Sequence, residues 1–302
     1  MANSLYIAAT GPGSGKITLV LGVMETLSRS IGNIGFFRPV IKAVEPRDND
    51  IQLVLNRYNP RLSYADTYGC THAEAREMIA KGQSNELLNE ILTRFKRLES
   101  QCDFVLCEGT DYTGVSSALE FDFNADVASN LGCPVMIVGN GSGKEPDLLL
   151  DAVRVACKAL EARHCTVAAA FVNRIAPEQM EAAAAVFAAN TAGGAKVHLL
   201  PNDASLERPT VGDIAAGLEA QLLSGEPEAL NRDVLDCTVA AMQLPHFLDH
   251  ITEGALVITP GDRADIQLGS VATTFSRGFP SLSGILLTGG IEVPPQIVRL
   301  IE

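Results

Sequence analysis

ATGPGSGKIT, Ala9–Thr18, is the stretch on which the fold turns. It follows a short apolar run, Leu5–Ala9, which reads as a buried strand. It precedes Lys16–Ser28, where Leu19, Val20, Val23, Met24 and Leu27 recur at helical spacing. A glycine-rich turn between strand and helix is the setting of a phosphate loop. Backbone N–H groups in such a turn can surround phosphate oxygens. The helix N-terminus adds partial positive charge, and Lys16 would reach the outer phosphates. Gly11, Gly13, Gly15, Lys16 and Thr18 are therefore candidate nucleotide or phosphate contacts.

The loop departs from the full pattern in two places. Thr10 stands where a glycine is wanted, with Gly11 the nearest substitute, and Ile17 stands where a metal-binding Ser or Thr should follow the lysine. Thr18 comes one place late, and one residue turns a helical side chain by about 100°. The expectation is a degenerate loop that embraces an anion without working ATP hydrolysis. The plainer alternative is a glycine-rich helix start that packs closely and takes only a stray anion.

Outward from the loop, strand and helix patterns alternate. Ile34–Val40, Phe104–Cys107, Val135–Val138, Val167–Val172 and Val197–Leu200 read as strands, the first of them ended by Pro39. Glu86–Leu98, Asp147–Leu160 and Pro177–Ala189 read as helices. Strands joined by helices imply right-handed crossovers and a parallel sheet covered on both faces. Ligands in such sheets sit at the carboxyl ends of the strands.

A break near Leu222–Asn231, with SGEPEALN, separates a second pattern. There Val234–Ala241, Leu256–Thr259 and Gly284–Leu287 read as strands, and Pro245–Thr252, Arg263–Phe275 and Pro294–Glu302 as helices. The reading is α/β throughout. A P-loop-type domain spans residues 1–222, and a smaller α/β domain spans 232–302, incomplete at its end because the last helix stops at Glu302 without a capping signal.

The 302 residues carry 23 Lys+Arg against 36 Asp+Glu, a net charge of −13. That balance disfavours nucleic acid, whose phosphates must be met by cations, and anionic membrane surfaces. No apolar run approaches the roughly 20 residues needed to span a bilayer. The seven cysteines form no CxxC, and several lie in apolar stretches, as in FVLCEG. Buried free thiols in a reducing cytoplasm are expected.

Carboxylates near the loop offer a magnesium site. Glu108 ends the third strand, and Asp48 and Asp50 follow the second in RDND. The ion prefers octahedral oxygen ligands; the competing reading is a solvated turn with helix N-capping.

Residues 1–215 resemble dethiobiotin synthetase and its relatives. The matches are the glycine loop, FFRPV (Phe36–Val40), the Asp in DND, EGT (Glu108–Thr110), PVMIV (Pro134–Val138) and FVNR (Phe171–Arg174). The resemblance implies that Arg38, in place of the family's lysine, contacts substrate or another anion. It further implies that Asp50 and Glu108 bind Mg2+, and that Asn173 lies beside the nucleotide base. Residues 233–302 resemble the DRTGG domain through GDRADI (Gly261–Ile266) and LLTGG (Leu286–Gly290), preceded by LPHFLDH and GALVITP.

This order of two modules is similar to the N-terminal arrangement of long-form phosphate acetyltransferases. They interconvert acetyl-CoA plus phosphate with acetyl phosphate plus CoA. The resemblance implies a regulatory or architectural region whose acetyl-transfer domain lies elsewhere, so no catalytic residue carries over. The implied partners are a small-molecule effector or nucleotide, its own C-terminal acetyltransferase domain, and further copies in a homo-oligomer. Two alternatives stay open: an ATP-dependent ligase or amidase-like synthetase, and a stand-alone nucleotide or metabolite sensor.

Elsewhere, His246 and His250 are four apart and would share a helix face, packing or capping rather than holding metal. Asp262 is expected to N-cap the helix of GDRADI, with Arg263 pairing to Asp262 or Asp265 or binding an anion. Thr288–Gly290 suits a tight turn with positive φ.

Overall fold

A computed structural model describes residues 3–110, 117–189 and 194–301. Met1, Ala2 and Glu302, which belong to stretches named above, lie outside the described residues. The chain divides into two compact units, Met1–Asn202 and Asp203–Glu302.

In the first unit the described elements follow in chain order as β1 (Asn3–Ala9), α1 (Lys16–Leu27), β2 (Ile34–Ile41), α2 (Asn49–Tyr58), β3 (Tyr68–Thr71), α3 (His72–Ala80), α4 (Ser84–Glu99) and β4 (Phe104–Glu108). Then come α5 (Ser117–Leu131), β5 (Val135–Asn140), α6 (Pro146–Glu161), β6 (Val167–Ile175), α7 (Met180–Ala189) and β7 (Val197–Pro201). The strands form one parallel sheet in the order β3-β2-β4-β1-β5-β6-β7. Helices cover both faces of the sheet. β1 is the middle strand, and chain order departs from it in both directions. The crevice at its carboxyl end is the switch point where doubly wound sheets take ligands, and the glycine loop leaves β1 there.

Alternation along each strand builds the two faces. Tyr6 and Ala8 of β1, with Val105 and Cys107 of β4, join Leu87, Ile91 and Phe95 of α4 and Leu150 and Val153 of α6. Leu5 and Ile7, with Phe104 and Leu106, join Leu19, Val20 and Met24 of α1 and Ile51 and Val54 of α2. Each such fully buried aliphatic contributes roughly 1.5–3 kcal/mol.

Pro39 does not end β2, as its sequence suggested. The strand runs on to Ile41, because Arg38 N–H donates to Thr67 O on the β3 side. The nitrogen of residue 39 therefore faces β4. There the pairing ends at Phe37 opposite Cys107, and the next donor position toward β4 is the proline nitrogen, which carries no hydrogen. β2 exchanges one neighbour for the other at this residue.

The cysteines are free, with Cys70, Cys107, Cys133, Cys157 and Cys165 buried, Cys102 half-buried and Cys237 exposed. Burial, then Glu74 and Glu90, push the Cys70 thiol up to about 12. In a time course with an aromatic disulfide reagent, Cys237 should react at once and Cys102 more slowly. The buried five should react only on unfolding. Prompt labelling of Cys70 in the folded protein would contradict this packing.

In the second unit the described elements are α8 (Val211–Gly217), β8 (Asp236–Val239), α9 (Leu244–Leu248), β9 (Ala255–Pro260), α10 (Ala264–Thr274), β10 (Gly284–Thr288) and α11 (Pro295–Ile301). Its parallel sheet has the order β10-β9-β8, over a core of Ala240, Phe247, Ile251, Ala255, Val257, Ile266 and Leu282. Gly289 and Gly290 hold φ of 83° and 61°, as the TGG turn requires.

Two local expectations fail in this unit. Asp262 does not cap α10: Arg263 occupies that position without a side-chain cap bond. Arg263 instead forms a fork on Asp265 (2.9 and 3.0 Å) and donates to the Ala241 and Met242 carbonyls. α9 ends at Leu248, so His250 lies past it and shares no helix face with His246.

Candidate functional site

One asparagine bonds the glycine loop and a second lies beside it. Gly13 and Gly15 take φ of 68° and 74°, the left-handed region that glycine enters without a Cβ penalty. Asn173, in β6, donates from Nδ2 to Ser14 O at 3.0 Å. A Cβ on Gly15 would sit 2.6 Å from that same nitrogen, so position 15 must be glycine for space as well as for φ. Asn140 ends β5 opposite Asn173, and its Nδ2 lies 3.4 Å from where a Gly13 Cβ would be. Asn140 Oδ1 also accepts from Ser142 N–H at 3.0 Å. Nothing crowds Gly11.

Lys16 opens α1 and is only 4% exposed. Its Nζ donates to Gly109 O at 2.5 Å. That carbonyl is presented by the segment following β4, which Asn124 of α5 clamps. Asn124 Oδ1 accepts from Tyr6 Oη at 2.7 Å and Thr110 N–H at 2.9 Å, and its Nδ2 donates to the Thr110 and Glu120 carbonyls. Ile17 packs against the α1-side core, and Thr18 points from α1 into solvent.

Arg38 and Glu108 are the next residues on β2 and β4 beyond the last pair of that ladder. They are 8% and 1% exposed. Arg38 Nε lies 3.6 Å from Glu108 Oε2, and Nη1 reaches Asp48 Oδ2 at 2.6 Å and Asp50 Oδ2 at 3.0 Å. Burial alone would loosen the Arg38 proton. Glu108, Asp48 and Asp50 together outweigh it, so the guanidinium holds its charge more firmly than a free arginine.

Asp48 does double duty. Its Oδ1 N-caps α2 by accepting from Ile51 N–H at 3.1 Å, and its own N–H donates to Tyr64 Oη. Beside this cluster His72, the first residue of α3, is held below the usual imidazole range by burial and then by Arg38, Arg76 and Lys42.

The sheet thus brings Gly13, Gly15, Lys16 and Asn173 together, and gathers Arg38, Asp50 and Glu108 into one cluster. Thr18 joins neither group. Asn140, Asn124 and the Gly109 carbonyl were not picked out from sequence. Asn140 had a visible signal: MIVGN and AFVN are both apolar runs ending in asparagine, on strands that prove adjacent.

The residues do not fit magnesium as arranged. Asp50 and Glu108 supply oxygens, but both face the Arg38 guanidinium, and Ile17 fills the hydroxyl position with hydrocarbon. Among the described residues, no three His, Cys, Asp or Glu side chains are grouped to hold a metal.

Comparison with known families places the chain. A model described as an AAA domain matches residues 3–210. The chain belongs to the AAA domain family. Its AAA domain holds the glycine loop, and a second model, the DRTGG domain, matches residues 213–302. The phosphate acetyltransferase of Nitratidesulfovibrio vulgaris is 42% identical over 308 residues, covering 100% of this chain and 44% of that protein. The Synechocystis enzyme of the same name is 35% identical over 308 residues with the same coverage, and the Deinococcus radiodurans one 25% over 307. The AAA and DRTGG domains together therefore span less than half the length of these relatives. Among the described residues no helix is long and apolar enough to cross a membrane.

Proposed function

We propose that this chain is the N-terminal regulatory and architectural part of a phosphate acetyltransferase. The overall reaction would be acetyl-CoA plus phosphate to acetyl phosphate plus CoA, with acetyl transfer carried by a domain outside this sequence. The carrying observation is the 42% identity over the whole chain to a protein more than twice as long. An AAA domain with a built glycine loop, followed by a DRTGG domain, suits a module that binds a nucleotide or small effector. On this reading it passes the effect to its own acetyltransferase domain within a homo-oligomer. Gly13, Gly15, Lys16 and Asn173 would line the anion subsite, with Gly11 at its rim. The free cysteines support a reducing, cytoplasmic setting.

The test is direct. Purified chain, given acetyl-CoA and inorganic phosphate, should form no acetyl phosphate above a buffer blank. Robust turnover would show that acetyl transfer resides in these two domains and would sink the assignment.

A further inference from the structure

We infer that the glycine loop takes its phosphate-bearing ligand free of divalent metal, with Arg38 serving as the resident cation of the site. This rests on the reading of the loop as an anion subsite. Three acidic side chains converge at the carboxyl ends of β2 and β4 and the start of α2, and an arginine already stands among all three. It is nine-tenths buried and cannot give up its proton under ordinary conditions. A metal ion using Asp50 and Glu108 would have to compete with the guanidinium, which already stands 3.0 Å from Asp50 Oδ2 and 3.6 Å from Glu108 Oε2. The loop offers the ion no compensating hydroxyl, because Ile17 packs into the core and Thr18 faces water.

Positive charge for the ligand comes instead from Lys16, the backbone N–H groups of the loop and the end of α1. Lys16 rests on the Gly109 carbonyl at 2.5 Å, a neutral acceptor that a phosphate oxygen can replace. The chemical class that fits is a phosphate ester or anhydride in its uncomplexed form, not a magnesium chelate.

The experiment titrates the full chain calorimetrically with ADP, once in EDTA and once in excess MgCl2. ADP should bind at least as tightly in EDTA, and magnesium should weaken apparent binding by sequestering the ligand. Lys16→Ala should weaken it by about tenfold or more, placing ADP in the loop. Electron paramagnetic resonance of Mn2+, which takes the same oxygen ligands, should show no protein-bound ion in the presence of ADP. Arg38→Met should acquire one.

A tightening of about tenfold by magnesium, bound Mn2+ in the unaltered chain, binding indifferent to Lys16, or no ADP binding in either buffer would each overturn the inference. The measurements on the unaltered chain decide it even if Arg38→Met fails to fold. None of these outcomes touches the acetyl phosphate assay, so the two proposals fail separately.

Discussion

Arg38→Met is expected to destabilise the first unit by about 3–5 kcal/mol at neutral pH, the cost of removing one partner from a buried ionic cluster. The methionine fills much of the volume, so the loss is electrostatic. Asp48, Asp50 and Glu108 would face one another without a counter-charge, and Glu108 is 1% exposed. The pH dependence gives the diagnosis. In the variant, a buried carboxyl without its cation binds a proton more readily folded than unfolded, so its folded pKa lies above the unfolded value of about 4.3. The penalty is then complete above the folded pKa and vanishes as pH falls below the unfolded one. Urea midpoints of variant and parent should therefore converge between about pH 7 and pH 4. A deficit that stays constant with pH would mean packing, not charge, had been lost.

Asn124→Ala is expected to cost about 3 kcal/mol or more, since each stranded buried polar group costs about 1–3 kcal/mol. The Thr110 N–H and C=O lose their partner on α5, and the Tyr6 hydroxyl loses this acceptor. The change sits at the root of the segment that offers Gly109 O to Lys16, so the phosphate loop should loosen with it. Asn124→Asp keeps the acceptor for both donors and should recover part of the loss. Equilibrium urea unfolding of the three proteins checks the order. A loss below about 1 kcal/mol for Asn124→Ala would show that the clamp is dispensable.

Much of the architecture was readable because it is periodic. Leu19, Val20 and Met24 reveal α1, and the apolar runs at Leu5–Ala9, Phe104–Cys107 and Val135–Val138 reveal the inner strands. β3 escaped because YGCT is four residues with a glycine inside, too short to show alternation. α2 escaped because its apolar face begins directly behind RDND, which reads as a turn until Asp48 is seen capping it. At the site, residue types pointed to the loop and to the three carboxylates. What composition cannot carry is pairing across long sequence separations. That Arg38 meets Glu108, 70 positions on in the chain, follows only once β2 is laid beside β4. The Asp262 cap failed because α10 begins at Ala264, one residue later than the pattern suggested, which puts Arg263 at the cap position.

Pro39 gives the acidic cluster a permanence that packing alone would not. A strand held apart by poor side-chain fit can zip shut when those side chains change. Here the nitrogen that would have to stitch β2 onto β4 carries no hydrogen, so the seam stays unsewn whatever its neighbours become. The doorway in which the guanidinium stands is framed by a covalent ring, and it can be redecorated by mutation but not closed while residue 39 is proline.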